Sequence, residues 1–217
     1  MKAVAAGLLV MVAAGRALAA PLLPVPDAPD LPEDWAPRVE EVLSANAADG
    51  AGEPLTAPMA ICVGTACAAL SAASLDPPQA EDLRALFAGG AADAAGEREV
   101  LGRAIAFFET VVGAQTGTWR DLPGNARDDF ERPGQLDCVS EAANTTTYLR
   151  RLEQAGLMTR HRLVGFVTRF TVILQHVAVE LEDVANGERW VVDSWPGANG
   201  EAPDIEPYGD WRLEWRA

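Results

Sequence analysis

Apolar residues recur every third or fourth position through the first two-thirds of the chain, then crowd into β-branched and aromatic runs in the last third. Trp35, Val39 and Val42 share one face of an expected helix. The stretch from Asn46 to Pro58 is rich in Gly, Ala and Pro and reads as a loop. Asp76-Pro77-Pro78-Gln79 has the form of a capping box with proline at the first helical position. It opens a helix through Phe87 that Gly89-Gly90 ends. From Glu97 to Val112, Leu101, Ile105, Phe108 and Val112 form a single stripe, the clearest amphipathic helix of the chain. A long polar loop with Trp119, Pro123 and Pro133 spans Gly113 to Gly134. Asp137 then caps a helix from Cys138 to about Ala155, with Ala142, Thr146 and Leu149 inward and Gly156 as its stop. Arg162 to Arg169, Val172 to Leu181 and Arg189 to Trp195 follow as strands. Helices first and antiparallel strands afterwards predict an α+β fold, in which the helix headed by Cys138 packs on the sheet.

The extreme N-terminus belongs to a different pattern. Lys2 precedes an apolar run from Ala3 to Ala14, and Ala17-Leu18-Ala19 offers the small residues of a cleavage site. Residues 1–19 are therefore expected to be a secretory signal, residues 20–33 an extended proline-rich leader, and residues 34–217 one domain. No stretch is apolar enough to span a bilayer, so the expected product is periplasmic or secreted rather than membrane-embedded. The formal net charge of -15 argues against nucleic acid or anionic lipid as partners.

Export gives the three cysteines their meaning. In an oxidising compartment Cys62 and Cys67 are expected to pair, which leaves Cys138 as the odd thiol. Neither is expected to bind metal, because no histidine lies near them and the spacing is unsuited. Cys138 heads a helix, whose positive end favours a thiolate. His176 follows as a base and Asp193 as the group that orients the imidazole. The backbone N–H of Cys138 and the side chain of Gln135 are the expected oxyanion donors. One geometric condition attaches. A strict two-residue Asn186-Gly187 turn would set Asp193 opposite Glu180, too far from His176. The triad therefore requires a wider loop of about four to six residues closing at Gly187.

With these residues in view, the segment from Gln135 to Trp195 resembles the transglutaminase-like superfamily. It is especially similar to the bacterial transglutaminase-like cysteine proteinases, some of them periplasmic. Asp193-Ser194-Trp195 also resembles the Asn-Ser-Trp segment of papain-like enzymes, in which the indole shields the bond between histidine and its orienter. The resemblance implies Cys138 as nucleophile, His176 as base and Asp193 as orienter. It implies a cysteine peptidase or amidase acting on a peptide or protein through a thioester. Calcium-dependent members carry further carboxylates directly after the cysteine, where this chain has Val139 and Ser140. No metal or other cofactor is expected.

Other readings of the same residues stand beside this one. Cys138 can be a small buried hydrophobe and His176 a satisfied core histidine, which would make the protein a non-catalytic periplasmic binding or envelope-interaction module. A third reading passes the acyl group to an amine and cross-links proteins. His161 reads as a surface residue at a helix-to-strand junction. The tryptophans at 35, 119, 190, 195, 211 and 215 are expected mostly as packing, with a peptide groove as the alternative. Asn144-Thr145-Thr146 matches a glycosylation acceptor but falls inside an expected helix.

Overall fold

The computed structural model describes residues 36–47, 53–124, 132–170 and 175–213. The expected signal and leader, together with Trp35 and Trp215, lie outside the described residues. The order of elements is helix α1 (Ala36–Ala47), strands β1 (Met59–Val63) and β2 (Ala69–Ala73), and helices α2 (Pro77–Phe87), α3 (Ala94–Thr116) and α4 (Cys138–Gln154). Strands β3 (His161–Phe170), β4 (Gln175–Asp183), β5 (Arg189–Asp193) and β6 (Asp204–Pro207) follow, and then the short helix α5 (Tyr208–Leu213). The fold is α+β. β1 and β2 form a hairpin, and β3-β4-β5-β6 form an antiparallel sheet in sequence order.

Local chemistry explains several boundaries. Asp76 caps α2 through the Gln79 N–H, and the Gln79 side chain answers with the Asp76 N–H, so the capping box is complete. Asp93 caps α3 through Gly96, and Asp137 caps α4 through Ser140. α3 runs past Val112 to Thr116 before Gly117 ends it in the left-handed region. The expected loop is therefore shorter at its start. β1, β2 and β6 had no counterpart in the hydrophobic pattern.

α4 is the axis of the molecule, packed by α1, α3, β1, β3 and β4. All its residues from Val139 to Leu149 are buried, including Asn144, Thr145, Thr146 and Thr147. Polar groups in such a place need partners. Thr147 Oγ1 donates to the Ala143 carbonyl and accepts from Asn46. Asn144 exchanges two hydrogen bonds with the Cys62 backbone, so the glycosylation motif is enclosed in the core. On one face of the sheet Val177, Val179, Leu181 and Val192 join the main core with Val139, Ala142, Leu149 and α3. On the other, Val167, Ala178 and Val191 pack on Trp211 of α5.

Cys62 and Cys67 form a disulfide, both wholly buried. The loop it closes lies on the first turn of α4. Ala66 N–H donates to Asp137 Oδ2 at 2.8 Å, Cys67 N–H to Ser140 Oγ at 2.8 Å, and Ser140 Oγ to the Gly64 carbonyl at 2.8 Å. Ala66 and Cys67 take φ of 52° and 53°, a region non-glycine residues avoid, so the surrounding contacts must hold them there. His161 corrects its surface reading. It is buried, with Nδ1 against Glu97 Oε2 at 2.9 Å and Nε2 against Arg98 at 3.1 Å. Burial works against the Glu97 charge, but hydrogen bonds from His161, Thr159 and Arg160 prevail and hold its carboxyl at about 2.

Candidate functional site

Cys138 is the first residue of α4 and a free, half-buried thiol. Its sulfur accepts a hydrogen bond from the Val177 backbone N–H, one peptide unit beyond His176. A helix start and a donated N–H both favour a thiolate. Burial nonetheless outweighs them and pushes the thiol up to about 12, with the charges of Asp137 and Asp193 adding to the rise. Cys138 therefore stays protonated at neutral pH unless a base removes the proton. The helix end alone does not activate it.

His176 and Asp193 meet through the turn geometry that the spacing demanded. β4 and β5 pair with Val179 opposite Val192 and Glu182 opposite Arg189. The loop between them is Val184-Ala185-Asn186-Gly187, closed by Gly187 N–H to the Asp183 carbonyl. Gly187 sits at φ +74, where a side chain would be strained. Continuing this register sets Asp193 opposite Ala178, on the same face as His176 and diagonal to it, within reach of long side chains. His176 Nε2 lies 2.6 Å from Asp193 Oδ2. Nε2–H thus donates to the carboxylate, and Nδ1 is the nitrogen left to accept a proton. Both side chains are buried.

Two indoles enclose the imidazole. The ring of Trp195 lies 4.9 Å from that of His176, and the ring of Trp211 lies at 5.7 Å. Trp211 Nε1–H also donates to Asp193 Oδ2 at 2.8 Å. The sequence suggests packing for Trp211, or a place in a peptide groove, but no tie to Asp193. Its only signal there was an aromatic residue in a short polar segment, which no spacing rule links to Asp193.

Gln135 is found in a different role from the expected one. Its side-chain nitrogen donates to Asp121 Oδ1 at 2.7 Å and to the Leu122 and Gly124 carbonyls at 3.0 Å each. The carboxamide is spent on clamping residues 121–124 to the approach of α4, so the oxyanion assignment is corrected. The Cys138 N–H, the other expected donor, lies at the helix start and is directed toward its own sulfur. Gly134 explains why the segment passes so close: it has φ +87, and a Cβ there would fall 2.4 Å from the Gly117 carbonyl oxygen.

Beneath this clamp lies a group of buried acids that the sequence did not announce. Asp121 Oδ1 accepts from Leu136 N–H at 2.6 Å, and Asp121 shares a hydrogen bond with Glu141. Glu109 Oε2 accepts from Gly200 N–H at 2.9 Å. Burial pushes Asp121 up to about 6, with the Asp137 charge adding to it, and Glu109 up to about 8, with the charges of Asp121 and Glu201 adding to it. Glu141 is driven well above the carboxylate range by burial, then by the charges of Glu109 and Asp121. No grouping of His, Cys, Asp and Glu among the described residues is arranged to hold a metal ion. Trp119 and Leu122, on the clamped loop, are largely exposed. Among the described residues no helix is long and apolar enough to cross a membrane.

Comparison with known proteins adds no relative: no family model, no curated protein and no solved structure matches this chain.

Proposed function

We propose that this protein is an exported thiol hydrolase, a cysteine peptidase or amidase with a transglutaminase-like core. The observation that carries this reading is the His176–Asp193 hydrogen bond, together with a free thiol at a helix start that receives the backbone N–H of the residue after that histidine. His176 Nδ1 takes the thiol proton as Cys138 Sγ attacks the carbonyl carbon of a peptide or amide. The Cys138 N–H receives the developing oxyanion. The imidazolium then gives its proton to the leaving nitrogen as the C–N bond breaks, which leaves a thioester. Water, deprotonated by His176, releases the acid and restores the thiol. Asp193 keeps Nε2 protonated throughout. The leader-like N-terminus and the buried disulfide support an address outside the cytoplasm.

The thiol held near 12 favours a second reading, a binding module whose cysteine is only a core residue. One experiment separates the two. Iodoacetamide labelling of Cys138 is measured from about pH 5 to about pH 9, the range over which an imidazole changes charge, in the wild type and in His176→Ala. The enzymatic reading expects labelling at neutral pH to slow by about tenfold or more in the variant. Equal, slow labelling in both proteins overturns it. Adding a labelled amine with a peptide amide donor then distinguishes hydrolysis from acyl transfer.

A further inference from the structure

Asp193 presents an unequal carboxylate. Oδ2 accepts from both His176 Nε2 and Trp211 Nε1, whereas Oδ1 is buried with no hydrogen-bond partner among the described residues. An isolated carboxylate with one empty buried oxygen is free to rotate and offer either oxygen to the histidine. The Trp211 N–H removes that freedom, because only Oδ2 lies where both donors reach it. The indole is itself fixed. It is wholly buried against Val167, Ala178 and Val191, the Arg169 guanidinium lies 4.6 Å over its ring, and Arg169 also donates to the Trp211 carbonyl. Arg169 stands opposite His176 across β3 and β4, so one side chain braces the indole beside the strand that carries the base.

We infer that Trp211 is a positioning residue of the site, holding Asp193 so that Oδ2 alone orients His176 and so that its charge is shared between two donors. The inference rests on the thiol-hydrolase reading for its kinetic consequence, though not for its geometry. Sharing matters as much as orientation. A carboxylate that gives part of its charge to an indole N–H holds the imidazolium less tightly, which keeps His176 available as a base. Other ionisable groups toward this pair are Arg169, opposite His176 across β3 and β4, Asp204, opposite Asp193 across β5 and β6, and the Cys138 thiol, which feels the Asp193 charge. Asp210 and Arg212 flank the indole on α5 and are exposed.

The test compares full-length wild type with Trp211→Phe, which keeps an aromatic ring and deletes the N–H. A second protein carries β-(3-benzothienyl)alanine at position 211, which keeps the bicyclic shape and replaces only N–H by sulfur. It serves if the phenylalanine variant melts. Iodoacetamide labelling of Cys138 is followed against pH, and the ring N–H resonance of His176 by NMR. In the variants the low-pH limb should move up by about one unit, or about tenfold in rate below the midpoint, because the unshared carboxylate favours the imidazolium. The His176 Nε2–H resonance should shift or broaden. Labelling of the urea-unfolded proteins, where the thiolate forms without help from His176, should be unchanged. An unmoved pH limb and an unmoved resonance in the folded benzothienyl protein overturn the inference. If labelling is independent of His176 even in the wild type, the hydrolase reading fails. The resonance then decides the positioning role by itself.

Discussion

Glu141 is almost wholly enclosed, and its hydrogen bond to Asp121 requires a proton on one of the two carboxyls. Its own proton is the one retained, since it is pushed up further than Asp121. Glutamine reproduces that neutral donor. The folded values of these acids are raised above the unfolded ones, so the stability they contribute is complete below about 4 and is lost as pH rises. The loss runs through about 6 for Asp121 and about 8 for Glu109. Glu141→Gln is therefore expected to match the wild type near pH ~4 and to exceed it by a margin that grows as pH rises to ~8, read as a urea midpoint at each pH. A variant that loses stability at both values would show that the carboxyl is held as an anion instead. The His176–Asp193 pair was legible in the sequence because a rare histidine and its spacing to an aspartate survive without coordinates. Gln135, Trp211 and the acid group were not. Their roles depend on which distant backbone they face, and the residue types alone do not encode that.

Helix α4 is fastened at its first turn by the disulfide loop as well as by its own cap. Asp137 serves both, with Oδ1 on Ser140 N–H and Oδ2 on Ala66 N–H. Asp137→Ala strands two donors and is expected to cost about 2 kcal/mol, measured by denaturant unfolding. Replacing Cys62 and Cys67 together by serine should cost about 2 kcal/mol for so short a loop, and should relax Ala66 out of its left-handed conformation. A melting temperature unchanged by dithiothreitol would contradict that. The helices and the long strands could be read directly, because capping residues and apolar stripes are local signals. The β1–β2 hairpin could not. Its second strand, Ala69–Ala73, is Ala-Leu-Ser-Ala-Ala, without β-branched residues, and it becomes a strand only because Met59–Val63 lies beside it. His161 failed as a surface residue for a related reason: its carboxylate partner comes from a helix far upstream in the chain.

The molecule as a whole carries a formal charge of -15, with its described face-to-face packing built around one polar helix. Such a charge should keep it off vesicles rich in anionic lipid and off duplex DNA even at low salt, in a simple co-sedimentation assay. Binding that strengthens as salt is lowered would reveal a local basic surface hidden in the net figure. The four-stranded sheet brings together groups from well-separated parts of the chain, and α5 then folds against its outer face. Position 211 follows the cysteine by more than the whole of that sheet. During synthesis from the N-terminus, the sulfur emerges long before the indole can dock behind the aspartate. A growing chain thus carries Cys138 for a time in which the carboxylate beside His176 still lacks its second donor.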